Sequence, residues 1–181
     1  MTEKIAVYGA AFNPPHAGHL DAIAQLLAQV DRVLVVPSYR HAFGKTMAPF
    51  AQRVAMVKAA LASVSLPPTR VEVDLSEQRL AAAKAAEDPI YSWDLLQETQ
   101  QRHPDARICL AIGPDNANPA QWQKFYRHED IDARWQTLVV EERVNVRSSA
   151  VRDAIAAGAS VPVALLPAEV AQLIDQFGLY R

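Results

Sequence analysis

The sequence predicts an α/β fold: a doubly wound, mostly parallel sheet of five or six strands, helices on both faces, and two helices at the C-terminus. Three observations predict it. Short apolar runs that stop at glycine or proline alternate with stretches whose apolar residues recur at helical spacing. Half of the 181 residues are hydrophobic, enough to fill a core that is covered on both sides. No repeat, low-complexity tract or linker divides the chain, so residues 1–181 read as one domain.

Each element follows in order. Ile5-Ala6-Val7-Tyr8 is a buried strand that stops at Gly9, and Leu20, Ile23, Leu26, Leu27 and Val30 lie on one face of a helix beginning near Gly18. Val33-Leu34-Val35-Val36 is a second strand, ended by Pro37, which has no N–H to give a central ladder. Val54, Val57 and Leu61 mark a helix, Val71 to Val73 a strand, Trp93 to Gln101 a helix and Ile108 to Ile112 a fourth strand. Leu138-Val139-Val140 supplies a fifth. Two helices close the chain, one carrying Val151 and Ile155 and ending at Gly158, the other carrying Val170, Leu173, Ile174 and Phe177 and ending at Gly178. Strands alternating with helices imply right-handed crossovers. Between Ser76 and Pro89 the alanines favour helix but offer little to bury, which reads as a surface insertion.

Composition narrows the function. With 18 basic and 20 acidic residues the chain is not a polyanion-coating surface, so a nucleic-acid partner is not expected. No stretch approaches a membrane span, and the N-terminus lacks the basic flank and long apolar core of a signal peptide. Cys109 is the only cysteine, which excludes an internal disulfide and a cysteine-based zinc site. These features fit the reducing cytoplasm.

Parallel sheets bind ligands beyond the carboxyl ends of their strands, and the unusual residues cluster there. Gly9, Ala10, Ala11, Phe12, Asn13, Pro14, Pro15, His16, Ala17, Gly18 and His19 join the first strand to the first helix. Small residues at 9 to 11 let backbone N–H groups approach a ligand, and a helix N-terminus beside them favours an anion. His16 and His19, three apart, can both donate to one phosphate group. A lone histidine in a turn is more often solvated or a cap, but two flanking Gly18 at a strand end are harder to dismiss. A zinc reading of His-x-x-His lacks a third ligand, and no metal site is expected from protein ligands alone.

The stretch Gly9 to Leu20 resembles the G-x-x-F-[DN]-P-x-H-x-G-H-L signature of the HxGH nucleotidyltransferases, which have a Rossmann-like sheet. Val146 to Arg152 is similar to that family's I-S-S-T-x-x-R segment, with Ser148 and Ser149 at its hydroxyl positions and Arg152 at its arginine. The order of features between these ends resembles the bacterial nicotinate (nicotinamide) mononucleotide adenylyltransferases. Lys45 precedes an Arg53-x-x-Met56 helix, Tyr91 to Leu96 is similar to Y-T-x-D-T-L, Gly113-Pro114-Asp115 stands where the family has G-x-D, and Trp122 stands where it has a stacking tryptophan.

That resemblance implies an adenylyltransferase of dinucleotide synthesis, with ATP and a pyridine mononucleotide as partners. His16, His19, Lys45 and Arg152 would be catalytic. Gly9, Ala10, Ala11, Phe12, Gly18, Gly113, Asp115, Ser148 and Ser149 would hold ATP and its phosphates, and Asn13, Ser92, Trp93 and Trp122 the mononucleotide. Mg²⁺ would be bound mainly through substrate phosphates. Three departures concern the acceptor: Ala11 replaces a hydroxyl residue, Arg147 a serine, and the 37–45 loop carries Arg40, His41 and Lys45 in place of a P-P-H-K run. A sibling enzyme using phosphopantetheine or CTP, and a non-catalytic nucleotide-binding module, remain the alternatives; a homo-oligomer is left open.

Overall fold

The computed structural model describes residues 1–40 and 46–181. Five parallel strands form one sheet: β1 (Lys4–Ala10), β2 (Arg32–Pro37), β3 (Val71–Val73), β4 (Arg107–Ile112) and β5 (Gln136–Val139), in the order β3-β2-β1-β4-β5. The chain winds outward from β1 in one direction through β2 and β3, then returns to β4 and β5 on the other side. The order therefore reverses between β1 and β4, the switch point at which open sheets leave a crevice.

Side-chain alternation along β1 divides the core. Ala6 and Tyr8 face α1 (Ala17–Leu27) and α2 (Phe50–Ala62), joining Ile23, Leu26 and Val57. Ile5 and Val7 face the opposite layer with Leu34, Leu110, Trp93 and Trp135, under α4 (Ser92–Arg102). A third cluster unites Met56 of α2 with Val151 of α8 (Ser148–Ala156) and Ile174 of α9 (Ala168–Phe177). The two closing helices stop as expected, with Gly158 and Gly178 at φ +73° and +65°, where a Cβ would be strained.

Two departures from expectation lie off the apolar runs. The stretch read as an insertion contains α3 (Ser76–Ala82), which buries Ser76, Glu77 and Ala81. Its contribution is largely polar, which hydrophobic spacing does not register. Between β4 and β5 the chain forms short helices α5 (Pro114–Ala117) and α6 (Pro119–Trp122) and the longer α7 (His128–Arg134). Among the described residues no helix is long and apolar enough to cross a membrane.

Candidate active site

The turn from β1 into α1 is built on its two histidines. His16 is the helix N-cap, with extended backbone at φ −147° and ψ 179°. Its Nδ1 accepts the N–H of Gly18 at 3.1 Å, and the Nδ1 of His19 accepts the N–H of His16 at 3.1 Å. This is a reciprocal capping box in which imidazoles replace the usual hydroxyl and carboxylate. An Nδ1 that accepts cannot carry a proton, so each neutral ring carries its N–H at Nε2. The rings stack at 3.8 Å and 26°, and Phe12 packs on His19 at 4.7 Å. Burial lowers the pKa of His16 to about 4; burial first, then the neighbouring His16, holds that of His19 well below its usual value. The pair are uncharged donors at neutral pH. Gly18 is required by closeness, because a Cβ there would stand 2.9 Å from the His16 ring.

A second set of contacts fixes the loop that carries the histidines. Phe12 sits at φ +50° and is almost fully buried. Buried Arg53 of α2 donates from Nε to the Ala48 carbonyl and from Nη1 to the Ala11 carbonyl, both at 2.8 Å. The C-terminal motif reaches the same loop: Ser148 Oγ donates to the Pro14 carbonyl at 2.9 Å, and Arg152 Nη1 donates to the Asn13 carbonyl at 2.9 Å. The two motifs, joined by contacts between residues 134 and 139 positions apart in the chain, thus share one hydrogen-bonded frame.

Several residues expected at ligands also brace the loop. Asn13 was expected at the mononucleotide, yet it is buried and its Oδ1 accepts both the Ala48 N–H at 3.1 Å and the Tyr180 hydroxyl at 2.7 Å. Arg152 was expected on the triphosphate, and at least one of its N–H groups holds the loop instead. Ala10 ends β1 opposite Pro37, Ala11 gives its carbonyl to Arg53, and Phe12 is core. Lys45 and His41 lie outside the described residues.

Two cavities open at the carboxyl end of the sheet, on opposite faces of β1. The first, about 350 Å³, is lined by His16, Gly18, His19, Asp115, Ser148 and Ser149, with Tyr8 at its floor. Gly113 caps α5 and so carries Asp115 to this rim. Arg147 spans the mouth, 3.4 Å from Asp115 and 3.1 Å from Glu142. The second cavity, about 200 Å³, is lined by Gly9, Ser38, Glu77, Ser92, Asn116 and Phe125. Gly9, expected with the phosphate set, therefore opens on the other face from Tyr8, as alternation along a strand demands.

The aromatic side chains expected at the mononucleotide lie in the same region. The Trp93 indole is buried edge-on to Trp135 at 5.4 Å, with the Arg127 guanidinium 4.0 Å from its ring centre. Its neighbour Ser92 does reach the second cavity. Trp122 donates from Nε1 to Asp132 at 2.9 Å and leans on Phe125 at 4.8 Å; Phe125, not Trp122, lines the cavity. Sequence reasoning also missed Glu77, whose carboxyl accepts the Tyr39 N–H at 3.2 Å. Burial pushes it up to about 7, opposed by that N–H, by Arg53 and Arg40, and by the Ser38 hydroxyl. An acidic residue in a stretch of alanines gave no signal beyond a solvated helix face.

Among the described residues no cluster of three or more His, Cys, Asp or Glu could hold a metal ion. Asp115 and Glu142 offer carboxylate oxygens at the first cavity, which suit a hard ion that keeps most of its ligands as water and phosphate.

Comparison with known proteins agrees with this geometry. The family model described as cytidylyltransferase-like matches residues 7–154. A protein of Anaeromyxobacter sp. (strain K) named "Probable nicotinate-nucleotide adenylyltransferase" is 32% identical, over 98% of this chain and 97% of its own length. One of the same name from Myxococcus xanthus (strain DK1622) is 33% identical, over 98% and 94%. A crystal structure from Vibrio parahaemolyticus, carrying the same provisional assignment, superposes with a TM-score of 0.82 at 32% identity, covering 99% of this chain and 96% of that one. The match to the family model spans both motifs of the hydrogen-bonded frame except its last support from Tyr180. The chain belongs to the cytidylyltransferase-like family, and its place there is among the adenylyltransferases.

Proposed function

We propose that this chain transfers AMP from ATP to the phosphate of nicotinate or nicotinamide mononucleotide, making a dinucleotide and releasing pyrophosphate. One observation carries the assignment of the two substrates: separate cavities on the two faces of β1, with the histidine pair in the first and an aromatic ring in the second. ATP takes the first cavity and the mononucleotide the second, with Phe125 against the pyridine ring. A phosphate oxygen of the mononucleotide forms the new bond to the α-phosphorus of ATP, and the bond from that phosphorus to the bridging oxygen breaks. Pyrophosphate departs with those electrons.

The acceptor phosphate is already ionised near neutral pH, its second pKa being about 6, so the step needs no protein base. Catalysis is then positioning and charge stabilisation. The Nε2–H groups of His16 and His19 point hydrogen-bond donors at the oxygens where charge grows, and do so without the cost of burying a cation. Ser149 and Arg147 border the same space, and we assign to Lys45 and the remaining N–H groups of Arg152 the outer phosphates. Ser148, its proton committed to Pro14, positions the loop. Mg²⁺ would be held mainly by the triphosphate, with Asp115 and Glu142 as the carboxylates available in this cavity, and would supply charge neutralisation there. We place the reaction in the cytoplasm, where ATP is available.

The test is pyrophosphate release, with the products identified, from ATP or CTP paired with nicotinate mononucleotide, nicotinamide mononucleotide or phosphopantetheine. Release with ATP and a pyridine mononucleotide is expected. Turnover confined to phosphopantetheine or to CTP would replace this reading with a sibling enzyme, and binding without turnover would make the chain a nucleotide-binding module.

A further inference from the structure

The second cavity contains a titratable group for which the transfer step has no use. Glu77, in the first turn of α3, is 8% exposed and faces the same space as Ser38, Ser92 and Phe125. Among the described residues, the charged groups that act on it are Arg40, from the segment after β2, and Arg53, from α2. Asp74, just before α3, is taken up by Arg79 and Arg102. From the start of α4 the cavity receives the N-cap residue Tyr91 and Ser92, and from α5 Asn116, none of them an acidic carboxyl or a basic side chain.

Nicotinate and nicotinamide mononucleotides share their ribose, phosphate and pyridinium ring and differ in one substituent. A carboxylate only accepts hydrogen bonds, whereas a carboxamide also donates two. We propose that Glu77 sets the choice between them: protonated, it donates to the carboxylate of nicotinate; ionised, it accepts from the carboxamide of nicotinamide and repels a carboxylate. The inference rests on the assignment of the second cavity to the acceptor.

Because burial brings Glu77 up to about 7, both forms are populated near neutrality. The ratio of kcat/KM for nicotinate mononucleotide to that for nicotinamide mononucleotide should therefore fall as pH rises through this range. Titrations of the acceptor phosphate, of ATP and of the histidines are common to both reactions and cancel in the ratio. Glu77→Gln keeps the shape of the side chain and holds a permanent N–H₂ donor, so its ratio should stay at the high, nicotinate-favouring value at every pH.

The experiment measures kcat/KM for both mononucleotides, with saturating ATP and Mg²⁺, from about pH 5.5 to 8.5 across the Glu77 transition. A fall on the order of tenfold is expected for the parent protein, the scale of one charged hydrogen bond gained or lost, and a flat profile for Glu77→Gln. A flat parent ratio overturns the inference without any variant having to fold, and so does a Glu77→Gln profile that keeps the parent slope. Turnover of neither mononucleotide would instead overturn the proposed function, and this inference with it.

Discussion

At the scale of single residues, the histidine pair joins acid stability to the catalytic role we propose for it. Both rings are held neutral in the fold, so between their ordinary value of 6.5 and their lowered values the unfolded chain binds more protons than the folded one. Their contribution to stability is complete above pH 6.5 and is lost as pH falls, for His16 through about 4. Glu77 acts in the opposite sense: its raised value means that its contribution is present below its ordinary 4.5 and is lost as pH rises through about 7. His16→Asn separates the two roles of His16. Asparagine is a good N-cap, so the helix start survives. Urea unfolding midpoints at about pH 5 and pH 7.5 should lie closer together than in the parent, while kcat falls by about 10²- to 10³-fold, the scale of one lost transition-state donor. An unchanged kcat in the folded variant would remove His16 from the transition state. The pair and its spacing were legible in the sequence; which nitrogen carries the proton was not, because that depends on backbone N–H groups found only in the folded turn.

At the scale of elements, apolar runs were good guides and short polar segments poor ones. β1, β2 and β4 and the helices around Ile23, Val57, Leu96, Val151 and Ile174 bury the residues their spacing marks, whereas β3 keeps Val71 and Val73 half-buried and β5 buries Leu138 but leaves Val139 exposed. Four-residue α5 and α6 are too short to show a helical period, and α3 buries Ser76 and Glu77 where a pattern reading looks for leucines. The choice of stacking residue was hard to read for a related reason. Trp122 and Phe125 stand one turn apart, and local spacing cannot say which ring meets the cavity. The structure separates them, and kinetics can check it. Phe125→Ala should raise KM for the mononucleotide by about two- to tenfold, the range of an aromatic contact, and leave KM for ATP nearly unchanged. Trp122→Phe, which keeps an aromatic ring beside Phe125 but forfeits the bond to Asp132 and part of the indole packing, should cost about 1 kcal/mol of stability and spare both KM values. The reverse pattern would restore Trp122 to the ligand.

At the scale of the whole molecule, the active loop is supported by α2 and by the C-terminal end of the chain. Tyr180 reaches Asn13, Leu165 accepts the N–H of Ala17, and the third apolar cluster ties α9 to α2, whose Arg53 holds Ala11. Such closure could not be read from either motif alone, since hydroxyls, serines and an arginine near a helix start look the same whether they hold a ligand or a loop. The switch between β1 and β4 was legible as a class of fold, but the division of the crevice into two chambers depends on Tyr8 and Gly9 pointing to opposite faces. That division has a stereochemical consequence. In the proposed arrangement, substrates admitted from opposite sides of one strand meet at the α-phosphorus with the entering and leaving oxygens on opposite sides of it, and no side chain need hold the adenylyl group between two half-reactions. A single displacement turns phosphorus inside out once. With ATP made chiral at the α-position by one sulfur, the dinucleotide should emerge with inverted configuration, and retention would require a second displacement and so overturn the single-step transfer.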